Sequence, residues 1–191
     1  MMSGHQPTIV ALSGSPSLTS RTAQLIPHVE PALRRAGYRV ETIPIRQLPA
    51  DDLFAGQVSA PPISEALATM ERAAGVLIAT PIYKAAYTGM LKSFLDVLPQ
   101  FGLSGKSVLP LATGGSIAHV LAIDYALRPV LTSLNARHIV NGLFILDKQI
   151  VPRDGGGIEL EADIQRRLDE VLGAFVHSLD AFTPKPAALA S

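Results

Sequence analysis

Apolar positions along the chain fall into short unbroken runs separated by longer stretches with helical spacing. Thr8-Ile9-Val10-Ala11-Leu12-Ser13 is one such run, closed by a loop of small residues, and reads as a buried strand. A helix follows from about Arg21 to Ala36, with Gly37 at the place of a left-handed cap. Tyr38 to Ile43 reads as a strand, Pro44 to Pro62 as a Pro-, Asp- and Gly-rich loop, and Ile63 to Ala74 as a helix. Gly75 to Thr80 is a third strand, and Pro81 to Ala86 the loop after it. Met90, Leu91, Phe94, Leu95 and Leu98 then share one helical face that ends at Pro99. Ser107 to Thr113 is a fourth strand, Ile117 to Leu134 a helix and His138 to Leu146 a fifth strand. Asp147 to Gly157 is expected as a polar loop, Glu159 to Phe182 as a long final helix, and the Pro/Ala-rich tail from Thr183 is expected to fray.

Strand and helix thus alternate through the chain. Continuous apolar strands, rather than strands that alternate in and out, predict an α/β fold with a five-stranded parallel sheet covered by helices on both faces. Neither a repeat nor a linker interrupts the pattern, so residues 1–191 are expected to form a single domain. Ligands of such sheets bind beyond the carboxyl ends of the strands. That directs attention to the loops beginning at Ser13, Pro81, Thr113 and Asp147.

Composition narrows the chemistry. Sixteen basic and sixteen acidic residues balance, so no net positive field favours nucleic acid or an anionic membrane. The absence of cysteine excludes disulfides, thiolate metal sites and a cysteine nucleophile. His5, His28, His138 and His177 lack metal-ligand spacing, and no metal is expected. Met1 to Pro7 does not read as a signal peptide, and no apolar run approaches the roughly 20 residues that span a bilayer. A cytoplasmic location is the expectation.

The first loop, Ser13-Gly14-Ser15-Pro16-Ser17-Leu18-Thr19-Ser20-Arg21-Thr22, sets small hydroxyl residues between a buried strand and a helix start. Free amides and the positive end of the helix dipole favour an anion there. Ser15, Ser20 and Thr22 can add neutral donors and Arg21 a charged one. An ordinary capped turn, with Thr19 or Ser20 serving only the helix amides, accounts for the same residues. Neither the nucleotide-triphosphate loop nor the glycine-rich dinucleotide fingerprint is present, and a serine-rich loop suits a monophosphate such as that of FMN. In the second loop, Pro81 stiffens the strand exit, Ile82 and Tyr83 offer surface to a flat ring, and Lys84 can stabilise negative charge developing on it. In the third, Thr113-Gly114-Gly115-Ser116, paired glycines allow close approach of a ligand or simply a sharp turn.

These segments resemble the NAD(P)H-dependent FMN reductase family, in particular its alkanesulfonate-assimilation branch. The resemblance lies in Gly14-Ser15-Pro16 with Ser20-Arg21, in Ala79 to Tyr87, in Leu109 to Ser116, and in His119 with Asp124-Tyr125-Ala126-Leu127-Arg128-Pro129. It covers about residues 8 to 150. It implies a flavodoxin-like three-layer sandwich that binds FMN across the three loops, with Ser13 in the first of them, and that oligomerises through helices as a homodimer or homotetramer. It also implies hydride transfer from NADPH or NADH to flavin, with reduced flavin passing to an FMNH2-dependent monooxygenase that desulfonates organosulfonates. The family often carries an arginine after Gly-Ser-Pro; Ser17 stands here, which leaves Arg21 as the nearer cation.

The segment around Tyr125 has a physical signature of its own. Pro129 cannot donate to the carbonyl of Tyr125, and Asp124 interrupts the apolar stripe of Ile117, Val120, Leu121, Leu127, Val130, Leu131 and Leu134. A wide, π-type turn around Tyr125 relieves both conflicts. In the resembling branch a tyrosine in such a turn lies at the oligomer interface beside the flavin, which implies a role for Tyr125 in retaining or releasing it. A plain proline kink with Tyr125 buried is the competing expectation. The apolar faces of the helices starting near Tyr87 and Ile117 are expected to exceed the needs of one core and to pair with another copy. Two other functions fit the same architecture: a quinone or azo reductase with FMN as a prosthetic group, and a flavodoxin-type electron carrier, against which the zero net charge argues.

Overall fold

The computed structural model describes residues 6–182; His5 and the tail from Thr183 lie outside the described residues. The strands are β1 (Thr8–Ser13), β2 (Arg39–Pro44), β3 (Gly75–Tyr83), β4 (Ala86–Tyr87), β5 (Ser107–Gly114), β6 (His138–Ile139), β7 (Leu143–Leu146), β8 (Ile150–Pro152) and β9 (Ile158–Leu160). The helices are α1 (Arg21–Arg35), α2 (Ala50–Phe54), α3 (Pro61–Glu71), α4 (Gly89–Asp96), α5 (Arg128–Ser133) and α6 (Ala162–Phe182). The main sheet runs β2-β1-β3-β5-β6, all parallel, with β7 also pairing with β5. This is the flavodoxin-like order.

Alternate residues of each strand enter different layers, which is why the strands read as unbroken apolar runs. Ile9, Ala11, Leu77 and Leu109 pack with Leu25 and Val29 of α1 and Leu168 and Phe175 of α6. Val10, Leu12, Val76 and Ile78 pack with Ile63 and Met70 of α3, Leu91 and Phe94 of α4 and Leu131 of α5.

Among the described residues the sheet has seven strands rather than the expected five. One reason is that the fifth position is split into β6 and β7. Val140 N donates to Val108 O, so Val108 and, two residues on, Pro110 turn their main-chain groups toward this edge. Pro110 has no N–H to offer, and the edge strand leaves the ladder opposite it. The chain returns at Gly142, where a Cβ would lie 2.7 Å from Pro110 O, so only glycine fits that approach. The other addition is β4, which folds back antiparallel on the end of β3.

Several boundaries also shift. The region from Pro44 to Pro62 contains α2 and a short 3-10 turn at Ile45–Gln47. The expected polar loop from Asp147 instead holds a 3-10 turn (Asp147–Gln149) and the antiparallel β8–β9 hairpin, so α6 begins at Ala162 rather than Glu159. Ile150, Ile158 and Leu160 are buried against α1 and α6, a tertiary contact that overrides the polar local composition. Among the described residues, no helix is long and apolar enough to cross a membrane, and no group of His, Asp or Glu is arranged to hold a metal ion.

Candidate functional site

The first loop leaves the sheet at Gly14, whose N–H donates to Ala79 O at 2.8 Å. Thr88 Oγ1 donates to Gly14 O (2.7 Å) and accepts from Leu91 N (3.1 Å), which ties the loop to the start of α4. Ser20 is the N-cap of α1, accepting from Ala23 N at 3.1 Å. Its hydroxyl also lies 2.6 Å from that of Ser15, which donates to Ser17 O at 3.0 Å. Ser15 is therefore buried and occupied in shaping the loop. The main-chain N–H groups of Arg21 and Thr22 have no partner among the described residues, as expected for the first turn of a helix. Ser13 is buried and its hydroxyl also lacks a partner among those residues.

The second segment departs from the expected loop. β3 does not stop at Thr80 but continues through Pro81, Ile82 and Tyr83, then turns at Lys84-Ala85 into β4. Pro81 is tolerated there because Ala79, and hence Pro81, face β1, which has already left the sheet at Gly14. Lys84 (φ 49°) and Ala85 (φ 65°) both adopt the left-handed region, the geometry of a two-residue hairpin turn that usually selects Asn and Gly. Such strain in residues with a Cβ is commonly found at functional sites. Ile82 is buried with Ala112, Ile123 and Phe144, while Tyr83 is 55% exposed. Burial, more than the opposing pull of Lys92, raises the pKa of Tyr87 beyond it.

The third segment is joined to the first by a buried hydroxyl pair, Thr22 Oγ1 and Thr113 Oγ1, 2.5 Å apart. At Gly114 a Cβ would lie 3.0 Å from the ring of Phe144, so this glycine answers to packing inside the fold.

Ser20, Arg21, Thr22, Pro81, Ile82, Tyr83, Thr113, Gly114 and Gly115 together line one cleft of 380 Å³ at the carboxyl edge of the sheet. Ser13, Ser15, Lys84 and Tyr125 are not on its wall. Asp147 is; the sequence directs attention to the loop that begins with it but assigns the residue itself no role. Arg21 Nε donates to Ile150 O at 3.0 Å, which anchors the arginine to the segment after β7.

The wide turn expected around Tyr125 is present. Ile123–Leu127 forms a π turn in which Arg128 N donates to Ile123 O, and Asp124 pairs with Arg128 at 3.2 Å. Tyr125 is 79% exposed, not buried, and Ile117, Val120 and Leu121 are exposed beside it in sequence. The α4 stripe differs: Leu91, Phe94, Leu95 and Leu98 are all consumed by the core, so that helix leaves no comparable apolar face.

Comparison with known proteins agrees with this architecture. A family model described as NADPH-dependent FMN reductase matches residues 7–150. The chain is 40% identical to an FMN reductase (NADPH) of Pseudomonas putida, over 94% of this chain and 91% of the relative. It is 38% identical to an FMN reductase (NADPH) of Escherichia coli K12, over 90% and 89%. Among solved structures, the apo form of the NADH:FMN oxidoreductase EMOB matches with a TM-score of 0.83 at 41% identity, covering 94% of this chain and 92% of that one. The chain therefore belongs to the NADPH-dependent FMN reductase family, an oxidoreductase whose cofactors are FMN and a reduced nicotinamide nucleotide.

Proposed function

We propose that FMN binds in the cleft between α1, β3 and β5, is reduced there by NAD(P)H, and leaves as reduced flavin for an FMNH2-dependent monooxygenase. The observation that carries this reading is the convergence of a helix N-terminus, one arginine and a neutral shelf on a single cleft. The amides of Arg21 and Thr22, the Ser20 hydroxyl and the Arg21 guanidinium form a donor set suited to a phosphate. The Ser13 hydroxyl, without a partner among the described residues, ends β1 just before this loop and lies off the cleft wall. Pro81 to Tyr83 and Gly114-Gly115 offer main chain and a low-relief surface to a flat ring. FMN, when bound, supplies the hydride acceptor. The protein holds it so that one ring face stays open to the nicotinamide, and alignment supplies most of the rate.

Tyr125 and the exposed Ile117, Val120 and Leu121 are read as the face on which a second copy docks, giving a homodimer or homotetramer in which Tyr125 governs flavin retention. Organosulfonate desulfonation as the downstream reaction rests on the resemblance of residues 79–87 and 109–129 to the alkanesulfonate branch. A cytoplasmic location belongs to the same reading.

The test is NAD(P)H oxidation by purified protein, with and without added FMN, after its visible spectrum is recorded. Colourless protein whose rate rises with free FMN supports the proposal. Yellow protein that ignores free FMN and reduces quinones supports a prosthetic-group enzyme instead.

A further inference from the structure

We infer that Asp147 sets how loosely the cleft holds FMN, by opposing the phosphate's charge from the wall that also carries Arg21. This rests on the reading of the cleft as the flavin site. The 3-10 turn Asp147–Gln149 follows β7 directly and is held by Leu146 N donating to Gln149 Oε1 at 3.1 Å. The next residue, Ile150, supplies the carbonyl that anchors Arg21 Nε. One short turn therefore both fixes the cation and presents a carboxylate to the same cleft. Neither Arg21 nor Asp147 forms an ion pair among the described residues, so the two charges do not neutralise each other by direct contact. Gly115 lies beside Asp147 and has no side chain to screen it: a Cβ there would be 3.8 Å from Oδ2.

Among the described residues the lining thus contains one cation and one anion, formally cancelling. A dianionic phosphate in the cleft gains from Arg21 and the helix end and loses part of that gain to Asp147. Added positive charge in place of the carboxylate would deepen the hold on the phosphate. A carboxylate on this wall weakens the ground-state grip on an anionic ligand, which suits a flavin that must leave as product.

Fluorescence titration of the whole protein with oxidised FMN and, separately, riboflavin tests this, since riboflavin lacks the phosphate. Asp147→Asn is expected to tighten FMN roughly three- to tenfold at low ionic strength and riboflavin by less than about twofold. The gain shrinks as salt is added. Arg21→Met is expected to weaken FMN and leave riboflavin nearly unchanged. Asp147→Ser, smaller and also neutral, is expected to reproduce the direction of the asparagine variant, with circular dichroism recorded for each protein. If Arg21→Met weakens FMN but removing the carboxylate leaves FMN unchanged, weakens it, or tightens both ligands equally, the inference fails while the cleft assignment stands. If neither Arg21→Met nor Asp147→Asn alters FMN affinity, the cleft assignment itself fails and takes the inference with it.

Discussion

Thr22 Oγ1 and Thr113 Oγ1 meet at 2.5 Å in the interior, joining the first turn of α1 to the end of β5. The bond couples two walls of the cleft that are far apart in sequence, so it holds the anion-binding helix end against the Gly114-Gly115 wall. Thr113→Val removes one partner and leaves the Thr22 hydroxyl buried and unsatisfied. The expected cost is about 1–3 kcal/mol of stability in urea unfolding, with a parallel loss of FMN affinity. The double variant Thr22→Val/Thr113→Val is expected to recover part of the stability but not the affinity. Additive losses in stability would show that the two hydroxyls do not depend on each other.

Ala85 holds a left-handed backbone (φ 65°) that its Cβ disfavours. Ala85→Gly is expected to raise stability by about 1 kcal/mol, seen as a higher urea midpoint at unchanged slope. A lower midpoint would mean that the methyl group contributes contacts outweighing the backbone strain.

Tyr38 donates to Asp180 Oδ1 at 2.9 Å from a buried position, and burial, with the hydrogen bond and charge of Asp180, pushes its pKa up to about 12. The unfolded chain ionises this group near pH 10, so the folded state holds the proton more tightly. The resulting stability is fully present below pH 10 and is lost as the pH rises toward 12, by roughly 2 kcal/mol. Unfolding free energies of wild type and Tyr38→Phe, measured from pH 9 to 12, are expected to converge across that window. A constant difference would contradict the assigned shift.

Tyr125 is exposed in a π turn, off the cleft wall, so any effect it has on flavin is expected to act through a second copy. Tyr125→Ala is expected to change FMN affinity and turnover several-fold and to weaken association in sedimentation. Unchanged affinity, turnover and association would remove Tyr125 from the account.

The first and third rim loops were legible because each joins a buried apolar run to small residues, a local signal. The wide turn at Tyr125 was legible because Pro129 and Asp124 conflict with a regular helix within one turn. The split of the fifth strand was not, since it arises where Pro110 meets Gly142 across 32 positions, a contact no local pattern reports. Continuation of β3 through Pro81 depends on β1 ending at Gly14, another long-range circumstance. Ser15 had the chemistry of a phosphate donor, yet the fold commits its hydroxyl to the loop. Asp147 reaches the cleft because the loop it opens follows β7 at the carboxyl edge of the sheet, which the strand pattern did indicate; the β8–β9 hairpin behind it had no local signal.

The most direct test of the account is a crystal structure of the protein with FMN. The account predicts the phosphate on the amides of Arg21 and Thr22 and the Ser20 hydroxyl, with the ring against Pro81–Tyr83 and Gly114-Gly115. FMN bound elsewhere would contradict it, as in the larger 610 Å³ cavity beside Met70, Phe101 and Lys106, where the lysine is already engaged with the carbonyls of Glu71 and Ala73.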